Sequence, residues 1–320
     1  MKCVSAIGKP IGEDETVFFR SRSDSTESSE DERFDLRMPE WSLDDMILNA
    51  ETAQEIDSVC AKVEYHSVLY EQWGLARIDP HGNRVAVSLY GPPGTGKTMC
   101  AEALARRFGK PILEVDYADV ESKYVGETPK NIRAAFKKAE ESGALLFFDE
   151  ADSILGKRMT TVTQSADHSV NVSRAVMLRQ MDLFSGIVVF ATNLARNYDP
   201  AFVRRIPYHI YMPLPDEAGR RRLWDRLVPV QMPGRDELDT LELVRSSDGL
   251  SGGDIKNVVI LAATRAVQRK GDSRRITTDD LSQALESVIK AKRDVGAVDN
   301  GIVDIREAPV LAQHVQAINV

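Results

Sequence analysis

The sequence predicts an α/β fold, with a parallel sheet held between helices and a small helical domain after it. Three observations carry that reading. Continuous apolar runs of strand length, such as Leu145 to Phe148 and Ile187 to Ala191, alternate with amphipathic helical stretches, the pattern of strands covered by helices on both faces. A glycine-rich turn from Gly91 to Thr98 joins a strand-like run to a helix-like one. Beyond Pro215 the strand-like runs cease and only helical periodicity remains. The 320 residues suffice for about two domains, each with a core of its own.

Taken in order, residues 1–40 read as a flexible arm and linker, because the stretch RSRSDSTESSEDER at 20–33 has no large apolar side chain to offset the entropy of ordering. The large α/β unit is expected over 41–215. Val85 to Tyr90 is its first strand, and a helix from Thr98 to Phe108 follows, stopped by Gly109. Ile112 to Val115 is the next strand. Thr128 then Pro129 reads as an N-cap with proline at the first helical position, and Ile132, Ala135, Phe136 and Ala139 share one face before Gly143. A helical lid is expected over 216–295, with Asp216 capping a first helix, Ser251 to Asp254 opening a second and Thr277 with Asp280 boxing a third. Residues 296–320 remain as a tail.

The net charge of −8 argues against a general binder of nucleic acid or of anionic membranes. Cys3, Cys60 and Cys100 are scattered and form neither a disulfide framework nor a zinc pattern. No apolar run approaches the roughly 20 residues that a membrane span needs. The first 20 residues lack the apolar stretch of an export signal, so a cytoplasmic location is expected.

GPPGTGKT, Gly91 to Thr98, satisfies the GxxxxGK[ST] pattern between a strand and a helix. Glycines let successive N–H groups face phosphates, the helix start adds the positive end of its dipole, Lys97 reaches the terminal phosphates and the Thr98 hydroxyl ligates Mg²⁺. Pro93, Gly94, Thr95, Gly96, Lys97, Thr98 and Met99 are the expected nucleotide-binding set, with ATP and Mg²⁺ as cofactors. Hydrolysis also needs a carboxylate for the metal and a base for water, and Asp149 and Glu150 at the end of the Leu145 run supply both. The same acidic pair could instead cap a helix start. Asn193, at the carboxyl edge of the Ile187 strand, is placed to orient the water, or is an ordinary turn residue.

GPPGTGKT, LLFFDEAD and VVFATN in this order resemble the ATPase module of the AAA family, with its Walker A and Walker B motifs, over about Trp41 to Lys292. The likeness is to its protein-remodelling branch, which includes katanin-like, spastin-like, Cdc48-like and ESCRT-disassembly ATPases. It implies a P-loop NTPase core of the AAA+ type with a helical lid. The segment Leu43 to Ile47 resembles the one whose backbone reads adenine in that family, which assigns Met46 and Ile47 to the base, although Leu48 stands where the family has glycine. Arg204 and Arg205 resemble paired arginine fingers, which reach a neighbour's nucleotide and so imply a homo-oligomer, a hexameric ring in the family. A local salt bridge is the alternative. Gly253, within GLSGGD, resembles the sensor position at the base of the lid. Arg174 resembles a subunit-interface arginine only loosely and reads equally well as a solvated helix residue.

Lys123 to Glu127 resembles a substrate pore loop, with Tyr124 and Val125 at its tip, unless Tyr124 merely packs on the adjacent helix. The resemblance therefore implies a protein remodeller acting on a protein substrate or through an adaptor. A nucleic-acid motor should show a basic channel face, which the sequence lacks, and a nucleotide-gated binding switch would need no pore aromatic. The compact single-module architecture is also similar to that of bacterial relatives of the pachytene-checkpoint ATPase that remodel HORMA-domain proteins.

Overall fold

A computed structural model describes residues 34–80, 82–116, 120, 127–156, 165–193 and 198–296. Six strands form one sheet: β1 Leu36–Arg37, β2 Val85–Tyr90, β3 Ile112–Asp116, β4 Leu145–Asp149, β5 Ile187–Thr192 and β6 Tyr208–Tyr211. Their order is β1-β3-β4-β5-β2-β6. Every neighbouring pair is parallel except β1 with β3. The helices of this unit are α1 Ala50–Glu64, α2 Lys97–Arg107, α3 Glu127–Ser142, α4 Asp152–Leu155, α5 Ser165–Leu183 and α6 Pro200–Val203.

Alternation within the apolar runs splits the core in two, because successive strand residues face opposite sides of the sheet. Val87, Leu89, Leu145, Phe147 and Val189 pack with Ile56 and Val59 of α1 and Leu104 of α2. Leu146, Phe148, Val188 and Phe190 pack on the other face with Ile132 and Phe136 of α3 and Met177 of α5. Both faces are covered, which is why the strands read as unbroken apolar runs.

The lid follows as α7 Glu217–Leu227, α8 Thr240–Ser246, α9 Gly252–Ala266 and α10 Thr278–Gly296. Trp224, Leu243, Ile255, Val258, Leu281 and Leu285 form its separate core. Three of its helix starts lie where caps were expected: the Asp216 carboxylate accepts from Gly219 N at 2.6 Å, the Ser251 hydroxyl from Asp254 N at 3.2 Å, and the Thr277 hydroxyl from Asp280 N at 3.2 Å; the fourth, α8, is capped by Asp239, which the sequence reading did not single out. The α/β class with a helical lid is the expected one.

Two boundaries are corrected and one strand is added. The expected arm over 1–40 includes residues of the folded unit, because Phe34 is buried in the core and β1 extends the sheet edge. Arg37 fastens that edge with bonds of 2.8 Å to Glu102 and 2.6 Å to Glu114, and the Glu102 hydrogen bond, then Glu114, hold its guanidinium pKa above the usual value. Helix α3 already includes Glu127, so Thr128 lies within its first turn and is not its cap. A further strand, β6, falls near the end of the large unit and pairs with β2. Among the described residues no helix is long and apolar enough to cross a membrane.

Candidate nucleotide site

The site lies along the carboxyl edge of three adjacent strands. Gly91 follows β2, Asp149 ends β4 and Asn193 follows β5, with Tyr90 in register with Thr192. Open parallel sheets bind ligands at this edge. Backbone bonds fix the loops above it: Ala151 N donates to Ala191 O at 2.9 Å and Gly91 N to Thr192 O at 3.3 Å.

The turn at 91–96 ends in Gly96 as the N-cap of α2, with φ +94°, so the helix start faces the ligand side of the loop. Lys97 is 8% exposed. Its Nζ donates to Gly91 O at 2.9 Å and Pro92 O at 2.8 Å, which holds the ammonium at the mouth of the loop. Burial pulls its pKa below the usual lysine value, and Asp149 and Asp152 oppose that pull. Thr95 Oγ1 braces the turn on Pro92 O at 2.9 Å. Pro93 and Gly94 are exposed on its outer side, and Met99 is half-buried on α2.

Thr98 Oγ1 donates to Asp149 Oδ2 at 2.9 Å. A hydroxyl and a carboxylate oxygen brought together at a phosphate loop are the hard donors that suit Mg²⁺, which takes few protein ligands and completes its shell with phosphate and water. The residues present fit that ion. Glu150 N donates to Asp149 Oδ1 at 2.8 Å, and Glu150 adopts φ +48°, the one left-handed non-glycine residue among those described. Such a conformation costs about 1–3 kcal/mol and persists where the surroundings impose it. It leaves the Glu150 side chain exposed while Asp149 stays half-buried. Asn193 is exposed beside them, on the residue after β5.

The lid closes over the loop through α9. Gly253 N donates to Gly94 O at 3.0 Å, and a Cβ on Gly253 would lie 3.3 Å from Gly94 Cα. Gly94 itself has φ +75° and its Cβ would strike the Ser251 hydroxyl at 2.5 Å, so Gly253 is set by a close backbone approach and Gly94 by its left-handed conformation and the Ser251 side chain. Gly253→Ala must therefore push the lid off the loop by a few tenths of an ångström. The expected result is a roughly threefold to tenfold weaker hold on a fluorescent ATP analogue at unchanged melting temperature, since one strained contact of about 1 kcal/mol is at stake. Unchanged affinity would show that the contact does not bear on the nucleotide.

Met46 ends the short 3-10 turn Leu43–Asp45, with its Cε 3.7 Å from the position of a Gly96 Cβ, and Ile47 follows half-buried. Two lid arginines hold this segment from either side: Arg226 donates to Asp44 O at 3.0 Å and Arg222 to Leu48 O at 2.8 Å. The Leu48 side chain, at the position where glycine was expected, packs on the core beside α1 and α2. Spacing in the sequence gave no sign of either arginine, since the partners lie 182 and 174 residues away.

The two candidate finger arginines are placed differently. Arg204 is exposed at the end of α6. Arg205 is engaged within its own chain: Nε and Nη2 reach the two Asp182 oxygens at 2.9 and 3.0 Å, and Nη1 reaches Ala201 O at 3.1 Å. The local salt bridge thus describes Arg205. Asp182 raises its pKa further. Arg174 is 6% exposed, so the solvated alternative for it is overturned. Tyr124 and Val125 lie outside the described residues. The sequence reading also missed a set of polar side chains behind the site: Ser88, Asp152, Thr192 and Tyr198.

Comparison with known proteins follows this geometry. Residues 87–214 match the ATPase family associated with various cellular activities (AAA), and residues 237–283 match the AAA+ lid domain. The chain is 34% identical to the 26S proteasome subunit RPT4 of Saccharomyces cerevisiae over 67% of its own length and 49% of that protein. It is 33% identical to the proteasome-activating nucleotidase of Methanopyrus kandleri over 80% of this chain and 58% of the relative. With the katanin p60 ATPase-containing subunit A1 of Strongylocentrotus purpuratus the identity is 35%, over 67% and 45% respectively. The chain spans about half the length of these relatives.

Proposed function

The chain belongs to the AAA ATPase family, and from that premise we propose that it hydrolyses ATP with Mg²⁺ at the subunit interfaces of a homo-oligomeric, hexameric ring and uses the energy to unfold or take apart a protein substrate. The observation that carries this reading is the convergence of the buried Lys97 ammonium, the Thr98–Asp149 pair and the exposed Glu150 on one edge of the sheet. Relatives named as proteasome subunits, a proteasome-activating nucleotidase and a katanin ATPase support the protein-directed half of it.

In this mechanism Lys97 and the loop amides of 94–98 bind the phosphates, and Thr98 with Asp149 holds Mg²⁺. The ion supplies charge neutralisation on the transferring phosphoryl group. Glu150 takes the proton of the attacking water, and Asn193 orients that water. Gly253 and the lid close the site from above, while Met46 and Ile47 present their backbone to the base. Arg204 of each chain completes the site of a neighbour, and Tyr124 and Val125 grip the substrate in the pore.

Lys97→Ala tests the first step. With no ammonium left at the loop mouth, affinity for a fluorescent ATP analogue should fall by roughly a hundredfold or more, the worth of a charge-assisted phosphate contact in a half-closed site. Undiminished binding would remove the phosphate loop from the mechanism. For the substrate, Glu150→Gln chains held in MgATP should sediment and scatter as a ring of about six copies and retain a specific protein, identified by mass spectrometry. A monomer, or a ring retaining only nucleic acid, would overturn the remodelling reading.

A further inference from the structure

Behind the nucleotide edge, four chain segments each contribute one side chain to a single polar chain, of which Ser88 and Thr192 are buried and Asp152 and Tyr198 half-buried. Ser88 lies on β2, three residues before the phosphate loop, and is 0% exposed. Its Oγ shares a hydrogen bond of 2.6 Å with the Tyr198 hydroxyl. Tyr198 is also hydrogen-bonded to Thr192, the last residue of β5 before Asn193. Thr192 is 1% exposed and donates to Asp152 Oδ1, two residues beyond Glu150. The segments that carry the phosphate loop and Asn193 therefore meet at one phenol, and the segment of the acidic pair joins them through Thr192.

That phenol sits at the root of the arginine helix. Tyr198 forms an antiparallel bridge with Gly156, and Asp199 N donates to Leu155 O at 2.8 Å. Asp199, 7% exposed, then caps α6 by accepting from Ala201 N at 2.8 Å, and Arg204 is the residue just past the end of α6. The Tyr198 ring packs against the apolar core and lies 5.9 Å from the His209 ring of β6. Burial pushes its pKa up to about 12, so the phenol keeps its proton and remains a donor at any physiological pH. Placing a tyrosine and a serine in a sheet core serves packing less well than two apolar side chains would, because each hydroxyl must be satisfied. What the pair adds is a fixed register between β2, β5 and the start of α6.

We propose that the Tyr198 hydroxyl is a positioning group that ties the Arg204 helix to the chain's own nucleotide site, so that the arginine offered to the neighbouring subunit is held in place by Ser88 and Thr192. The proposal rests on the reading of Arg204 as acting in trans. Without the hydroxyl the helix root keeps its backbone bonds, the Asp199 cap and the Arg205–Asp182 brace but loses its tie to Ser88 and Thr192, and the defect appears in the neighbour's site while the chain's own site stays intact.

Tyr198→Phe keeps the ring and removes the bond. Homomeric rings of this variant should bind a fluorescent ATP analogue as the parent does and lose roughly tenfold in kcat, the scale of a sub-ångström misplacement of a catalytic group. Ser88→Ala, which leaves the Thr192 bond, should lose part of that amount, and the double variant no more than Tyr198→Phe alone. Mixed rings locate the defect. Glu150→Gln chains carry an intact Arg204, so mixing them with Tyr198→Phe chains should raise the turnover per Tyr198→Phe chain several-fold. Arg204→Ala chains mixed with Glu150→Gln chains are the control and should rise likewise. Full kcat in Tyr198→Phe, or no rise on mixing where the control does rise, overturns the proposal. A control that shows no rise removes the trans reading itself, and the proposal with it.

Discussion

Glu150→Gln is expected to bind ATP with parental affinity and to lose turnover by about 10²–10⁴, the range of a positioned general base. Three structural facts set that expectation. The side chain is exposed at the carboxyl edge while Asp149 beside it is half-buried, and the backbone at 150 is held at φ +48°. Glu150 N is bonded to Asp149 Oδ1, so the strained turn and the carboxylate of Asp149 hold each other in place. Glutamine keeps the shape and the backbone and removes only the basicity, so neither folding nor nucleotide binding should change. Phosphate release and an ATP-analogue titration on the same preparation check both halves. Parental turnover would take the base away from Glu150, and a parallel loss of binding would make it a structural residue of the loop.

Much of this fold was legible because its signals are local. Apolar runs, the phosphate-loop glycines and three lid caps each lie within a few residues of what they specify, and the structure has elements at those places. The two missed strands depend on partners distant in sequence. Strand β1 is two residues long and exists through pairing with β3 and through Arg37 reaching Glu102 and Glu114, 65 and 77 residues on. Propensity cannot announce such a strand, and the Ser-rich and charged stretch before it suggested a linker extending to residue 40. Strand β6 is four residues with a mixed burial pattern, and its place is decided by β2.

The site shows the same division. Lys97, Thr98, Asp149 and Glu150 stand in motifs whose spacing follows from the chemistry, and the structure brings them to one edge. The lid arginines over the Met46 segment, the Ser88–Tyr198 bond and the Arg205–Asp182 pair have no local signature, being set by which segments the sheet order makes adjacent. Tyr198 reads in sequence as an ordinary aromatic in a loop, and only the burial of Ser88 and Thr192 gives its hydroxyl a purpose. The left-handed turn at Glu150 is likewise invisible, since no glycine marks it.

The paired arginines lead to the second large effect, because adjacent residues of one type are expected to behave unequally. Arg204→Ala should reduce kcat on the order of a thousandfold with little change in nucleotide affinity, the lower end of what a transition-state arginine contributes. Its side chain is exposed at the end of a short helix whose root is fixed by Asp199. That arrangement suits a cation meant for another chain. Arg205 already spends its fork on both Asp182 oxygens and on Ala201 O, with Arg84 a further 3.5 Å contact on the same aspartate. Freeing it to reach a neighbour would give up the two-pronged bond and leave Asp182 only the longer Arg84 contact, so it is better suited to bracing α6 against α5. Arg205→Ala should then cost about 0.5 kcal/mol of stability, little because the pair is a third or more exposed, and lower kcat by roughly tenfold through displacement of Arg204. Arg205→Lys, which cannot make the two-pronged contact, should lie close to Arg205→Ala. Equal, thousandfold losses for Arg204→Ala and Arg205→Ala would instead make both arginines fingers and the Asp182 pair a resting contact that assembly breaks. Measuring both variants at matched ring concentration separates these outcomes, since a strut shifts the melting temperature with kcat and a finger shifts kcat alone.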